Sequence, residues 1–118
     1  MTSTMRPGQI DVNDLEKAIL EHLVSQELLI CEPVHRLHVL SREFTGVGSF
    51  TRFACEGSGV SGSEKPISLD ALINIPGIPN GMGAVLFLKG GKPECLEIFT
   101  YGDLWDGIYD GFSIEPTA

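Results

Sequence analysis

The sequence predicts an α+β domain: an N-terminal helix followed by about five strands that form a strongly curved antiparallel sheet or small open barrel, with the helix over one side. Three observations carry this reading. Apolar residues recur at helical spacing only between Asp11 and Gln26. From Val34 onward the pattern alternates with a period of two, and clusters of Gly, Pro and Ser interrupt it. No helical pattern lies between the alternating segments, which argues against a parallel sheet of βαβ units. At 118 residues the chain has the length of one domain.

Residues 1–10 read as a flexible arm ending near Pro7-Gly8, and residues 11–118 as a single α+β domain. Asp11 is expected to open the helix, with Asp14 three residues on in a capping-box arrangement that also places negative charge at the positive end of the helix dipole. Val12, Leu15, Ile19 and Leu23 share one face, while Asp14, Glu16, Lys17 and Glu21 take the other. The helix is expected to reach about Gln26. Leu28–Cys31 is a short apolar run stopped by Glu32-Pro33, either a last helical turn or an extended connector.

Alternation from Val34 to Phe44 predicts the first strand, Thr45–Ser49 a loop and Phe50–Cys55 the returning strand. Residues 56–66, EGSGVSGSEKP, are low in complexity and predict a surface loop. Ile67–Asn74 alternates as a third strand, with a helical turn at Leu69–Leu72 as the competing reading. Pro76–Gly83 reads as a loop, because its prolines and glycines interrupt a ladder. Ala84–Lys89 and Glu94–Tyr101 then form a hairpin around Gly90-Gly91. Gly102–Ala118 carries Trp105, Ile108, Tyr109, Phe112 and Ile114 at irregular spacing, which predicts a coil packed over one end of the sheet with a short edge strand.

The net charge is −8, and its distribution is one-sided. All eight basic residues fall at or before Lys92, whereas Glu94, Glu97, Asp103, Asp106, Asp110 and Glu115 follow it. Such a field repels phosphate backbones, so nucleic acid is an unfavourable partner and a basic protein a favourable one. No apolar stretch approaches the roughly 18 residues that span a bilayer. The polar N-terminus has no secretory h-region. Three widely spaced cysteines, Cys31, Cys55 and Cys95, fit reduced thiols in a cytoplasmic protein better than a disulfide framework or a zinc ribbon.

Catalytic and metal chemistry find little support in the spacing. His35 and His38 point to opposite faces of a strand, so with Cys31 and His22 they make a poor ligand set. Asp103, Asp106 and Asp110, with Gly107 and Gly111, lack the alternate-position acids and terminal Glu of an EF-hand. No serine, cysteine or threonine stands beside a base in a recognisable motif, and Glu94 and Glu97 face opposite ways on a strand. The sequence therefore predicts no enzyme, no metal and no cofactor. Its distinctive surface is the acidic, aromatic exit of the last hairpin, and the expected partner-binding residues are Tyr101, Asp103, Trp105, Asp106, Tyr109 and Asp110.

Gly83-Ala84-Val85-Leu86-Phe87, the pair Gly90-Gly91, and Leu96-Glu97-Ile98-Phe99-Thr100-Tyr101-Gly102-Asp103 with Trp105 resemble a pattern in a family of small bacterial proteins of uncharacterised activity. The resemblance covers roughly residues 69–105 and implies a bacterial, cytoplasmic protein whose motif is structural. The order of one helix and then five strands is also similar to that of Sm-like domains, although no Sm-type RNA-binding signature is present.

These readings leave three functional expectations. The first is a non-enzymatic module acting by protein–protein interaction, of immunity or regulatory type. The second is a small-molecule binder or small enzyme with a pocket between helix and sheet, lined by Met82, Phe87 and Trp105. The third is an Sm-like oligomer. A homodimer through an open strand edge fits any of them.

Overall fold

The computed structural model describes residues 10–26, 37–54, 65–89 and 92–116. Its elements are β1 (Ile10–Asp11), α1 (Asp14–Ser25), β2 (His38–Phe44), β3 (Gly48–Phe53), β4 (Ile67–Ser68), β5 (Ala71–Ile75), β6 (Ile78–Lys89), β7 (Lys92–Thr100) and β8 (Ser113–Pro116). Every strand pairing is antiparallel. The sheet runs in the order β1-β2-β3-β7-β6-β5-β8, and β4 lies beyond β5 along β6. Its ends, β1 and β8, do not meet, so the sheet is open rather than a closed barrel. The predicted α+β class holds. The expected arm, the segment Leu28–Pro33, most of the 56–66 loop and the Gly90-Gly91 turn lie outside the described residues.

The helix begins differently from the expectation at Asp11. Asn13 is its N-cap: the side chain accepts from the Glu16 N–H at 2.8 Å, and the Asn13 N–H donates to Glu16 Oε1 at 2.9 Å. Asp11 cannot serve, because its backbone is extended and pairs with His38 in β1. Leu15, Ile19, Leu20 and Leu23 are buried as their spacing requires, and each contributes roughly 1.5–3 kcal/mol of apolar burial. They join Val39, Phe53, Ile73, Met82, Leu86, Leu96, Ile98 and Trp105 in one core between helix and sheet.

Glu16 departs from its predicted solvent face. Its side chain is 1% exposed, because Arg42 on β2 grips both carboxylate oxygens at 2.7 Å and the Thr51 hydroxyl on β3 donates to Oε2 at 2.6 Å. With the Asn13 N–H, four donors satisfy a buried charge that would otherwise be prohibitive.

The segment Pro76–Gly83 is also not the loop its composition predicts. Only Pro76-Gly77 form the turn, and the rest belongs to the twelve-residue strand β6. Ile75 pairs with Ile78 and Ile73 with Met82, so β6 carries two more residues than β5 between those rungs. This bulge takes up Pro79, which has no N–H to give a ladder, and Gly81, whose φ of 72° suits glycine. The third predicted strand is real but split, with β4 and β5 separated at Leu69-Asp70 rather than by a helical turn. The closing coil contributes β8, which pairs with β5.

Candidate partner-binding site

The surface predicted for a partner lies where the β2–β3 turn, the β5–β6 turn and the exit of β7 converge at one end of the sheet. Register fixes this convergence, since Gly48 opposes Phe99, Met82 opposes Thr100, and Ile75 opposes Ile78. The chain leaving β7 is held there by backbone contacts. The Thr100 N–H donates to the Val47 carbonyl at 2.9 Å, and the Trp105 N–H donates to the Gly46 carbonyl at 2.8 Å. The Thr100 hydroxyl closes the bend by donating to the Asp103 carbonyl at 2.6 Å.

The six predicted residues take different roles. Trp105 is turned inward and only 6% exposed; its indole N–H donates to the Ile108 carbonyl at 2.8 Å, and its ring meets Phe44 edge to face at 5.8 Å. As a freely exposed contact Trp105 is thus excluded, because an indole of that size is worth more in the core, where its N–H also finds an acceptor. Asp103 accepts from the backbone and side-chain amide N–H groups of Asn80, both at 3.2 Å, so its carboxylate braces the β6 bulge. Asp106 is exposed and accepts from the Ile108 N–H at 3.0 Å. Asp110 is exposed, and Tyr109 is half-buried beside Phe112. Tyr101 is exposed but leans against Phe99, on the opposite side of the sheet from the core.

What the sequence reading missed is aliphatic. With Trp105 anchored inward, Leu104 stands 83% exposed and Ile108 59% exposed. Together with Pro76, Gly77, Ile78, Trp105 and Asp106 they border a shallow groove of about 340 Å³. Phe44, which meets the tryptophan ring, and Val47, next to Gly46, add exposed apolar surface at this end. A second groove of about 290 Å³, lined by Asp14, Tyr109, Asp110, Gly111 and Phe112, brings the first helical turn beside the acidic segment. The sequence carries no signal for the exposure of Leu104 and Ile108, which follows from Trp105 being anchored inward by contacts from Gly46 and Phe44.

The linings offer carboxylates and apolar surface, with no imidazole or nucleophilic thiol or hydroxyl of serine or threonine among them. Among the described residues, no three of His, Cys, Asp and Glu stand together as a metal site. His38 is exposed, and His22 Nε2 is buried without a partner among the described residues, whereas Cys31 and His35 lie outside them. Met82, Phe87 and Trp105 do not share one space: Met82 and Trp105 are core residues, while Phe87 does not pack against the core. No described helix is long and apolar enough to cross a membrane. Comparison with known proteins returns no matching family model, no matching curated protein and no matching solved structure.

Proposed function

We propose that this protein is a non-enzymatic cytoplasmic interaction module, of immunity or regulatory type, whose acidic end engages a basic protein. The observation that carries the reading is the exposed pair Leu104 and Ile108 beside a groove that Asp106 also lines, with Asp103 and Asp110 on the same exit segment. No basic residue follows Lys92 to offset those carboxylates. Aliphatic contact area supplies affinity when desolvated, and the one-sided charge steers and selects a cationic partner. The buried free thiol of Cys95 fits a reducing compartment.

The test is affinity capture from native lysate of the source cells, using the wild type and two variants. One is Leu104→Ser/Ile108→Ser, and the other is Asp106→Asn/Asp110→Asn. A basic protein retained by the wild type and lost from both variants is the expected result. An identical captured set for all three chains would sink the reading.

A further inference from the structure

The sheet face turned away from α1 is apolar, where the solvated side of an antiparallel sheet is ordinarily polar. Register lays out three rows across β3, β7 and β6: Arg52–Cys95–Phe87, Phe50–Glu97–Val85, and Gly48–Phe99–Gly83. Phe50, Val85, Phe87 and Phe99 are half-buried, yet none is part of the core or packs against it. The rings of Phe99 and Tyr101 meet edge to face at 5.5 Å and lie over Gly83. A Cβ at Gly83 would come within 2.5 Å of the Tyr101 hydroxyl and 2.8 Å of the Phe99 ring, so the missing side chain lets both rings settle onto the sheet. A contiguous apolar surface of this kind marks a contact face.

Two opposite charges are set into these three strands, and Glu43 on β2, exposed, ends the Phe50 row at its outer side. Arg52 and Glu97 stand on neighbouring strands in adjacent rows, and neither side chain has an ion pair or hydrogen bond among the described residues. Glu97 lies between Phe50 and Val85, so whatever covers the face must bring a cation to Glu97 and an anion to Arg52. A basic partner of the kind suited to the acidic end would set like charge against Arg52. A second copy turned about a two-fold axis meets both demands at once, because Arg52 of each chain then crosses to Glu97 of the other. The acidic end cannot pair with itself in this way, since its charges are all of one sign.

We infer that this face is the interface of a symmetric homodimer, with Phe50, Val85, Phe87 and Phe99 at its centre and two reciprocal Arg52–Glu97 pairs. The inference is independent of the function proposed for the acidic end.

Light scattering and sedimentation of the full chain over a hundredfold concentration range test it. The wild type is expected to be dimeric and Val85→Glu monomeric. Arg52→Glu and Glu97→Arg should each weaken the dimer at least about tenfold, and the doubly reversed chain should regain it. Circular dichroism and melting check that each chain is folded. The charge variants keep the test decisive if Val85→Glu does not fold. A wild type that stays monomeric throughout overturns the inference, whether the face is then covered by other residues of the same chain or by a different protein. A dimer indifferent to both single charge reversals overturns it equally.

Discussion

Glu16 shows how much a single side chain can hold in this molecule. Its carboxylate ties α1 to β2 through Arg42 and to β3 through Thr51, and it also completes the helix cap. Removing one member of such a set leaves a buried charge short of partners. Glu16→Ala should therefore cost about 3–5 kcal/mol, and Thr51→Val about 1–3 kcal/mol, both read from urea unfolding. The hydrogen bond to Glu16 raises the Arg42 pKa despite opposing desolvation, so the guanidinium stays charged throughout the range in which the protein is handled. Cys95 shifts upward as well, first through burial and then through Glu94 and Glu97, with Arg52 opposing. Its neutral form is thus favoured in the folded state. The stability it contributes is present below the unfolded thiol's value, near about 8.5, and is lost as pH rises through the folded value. At pH near 8, mapped alkylation of Cys95 should be slower in the folded chain than in urea by about tenfold or more.

Three local devices carry the elements. The Asn13–Glu16 capping box starts the helix, and Asn13→Ala should lower stability by about 1 kcal/mol in a denaturant melt. The β6 bulge lets one long strand absorb Pro79 and still build both the β5 and β7 ladders. At Gly81 a Cβ would come within 2.6 Å of the Leu72 side chain, on a backbone with positive φ. Gly81→Ala is accordingly expected to cost about 1–3 kcal/mol by the same measurement. The anchored coil after β7 acts as a third device. Trp105 fixes it from inside, and that anchoring is what leaves Leu104 and Ile108 outward.

Charge is segregated along the β6–β7 hairpin and its exit. Lys89 and Lys92 pair at the far end of the β6–β7 hairpin, while Asp103, Asp106 and Asp110 follow the end at which β7 leaves the sheet. A partner recruited by the acidic end should associate at least about tenfold more slowly when salt rises well above the physiological level, because screening removes steering. Stopped-flow association with the captured partner measures this. An on-rate indifferent to salt would count against the acidic residues as the steering surface.

The helix, the alternating strands, the last hairpin and the charge asymmetry were legible because each is a local property. A period of 3.6 or 2 declares which side chains share a face, and composition declares net charge. Glu16 was misplaced because its partners lie 26 and 35 residues away, and no helical pattern can announce a cation delivered from another element. Pro79 and Gly81 read as breakers because a bulge exists only when a neighbouring strand passes over it. The aromatic acidic exit was recognised, but its division into an inward Trp105 and outward Leu104 and Ile108 depended on contacts from Gly46 and Phe44. By itself the sequence determined the elements and where the negative charge gathers. Only the tertiary structure decided which side chains are buried, since burial is settled by what the rest of the chain brings to each face.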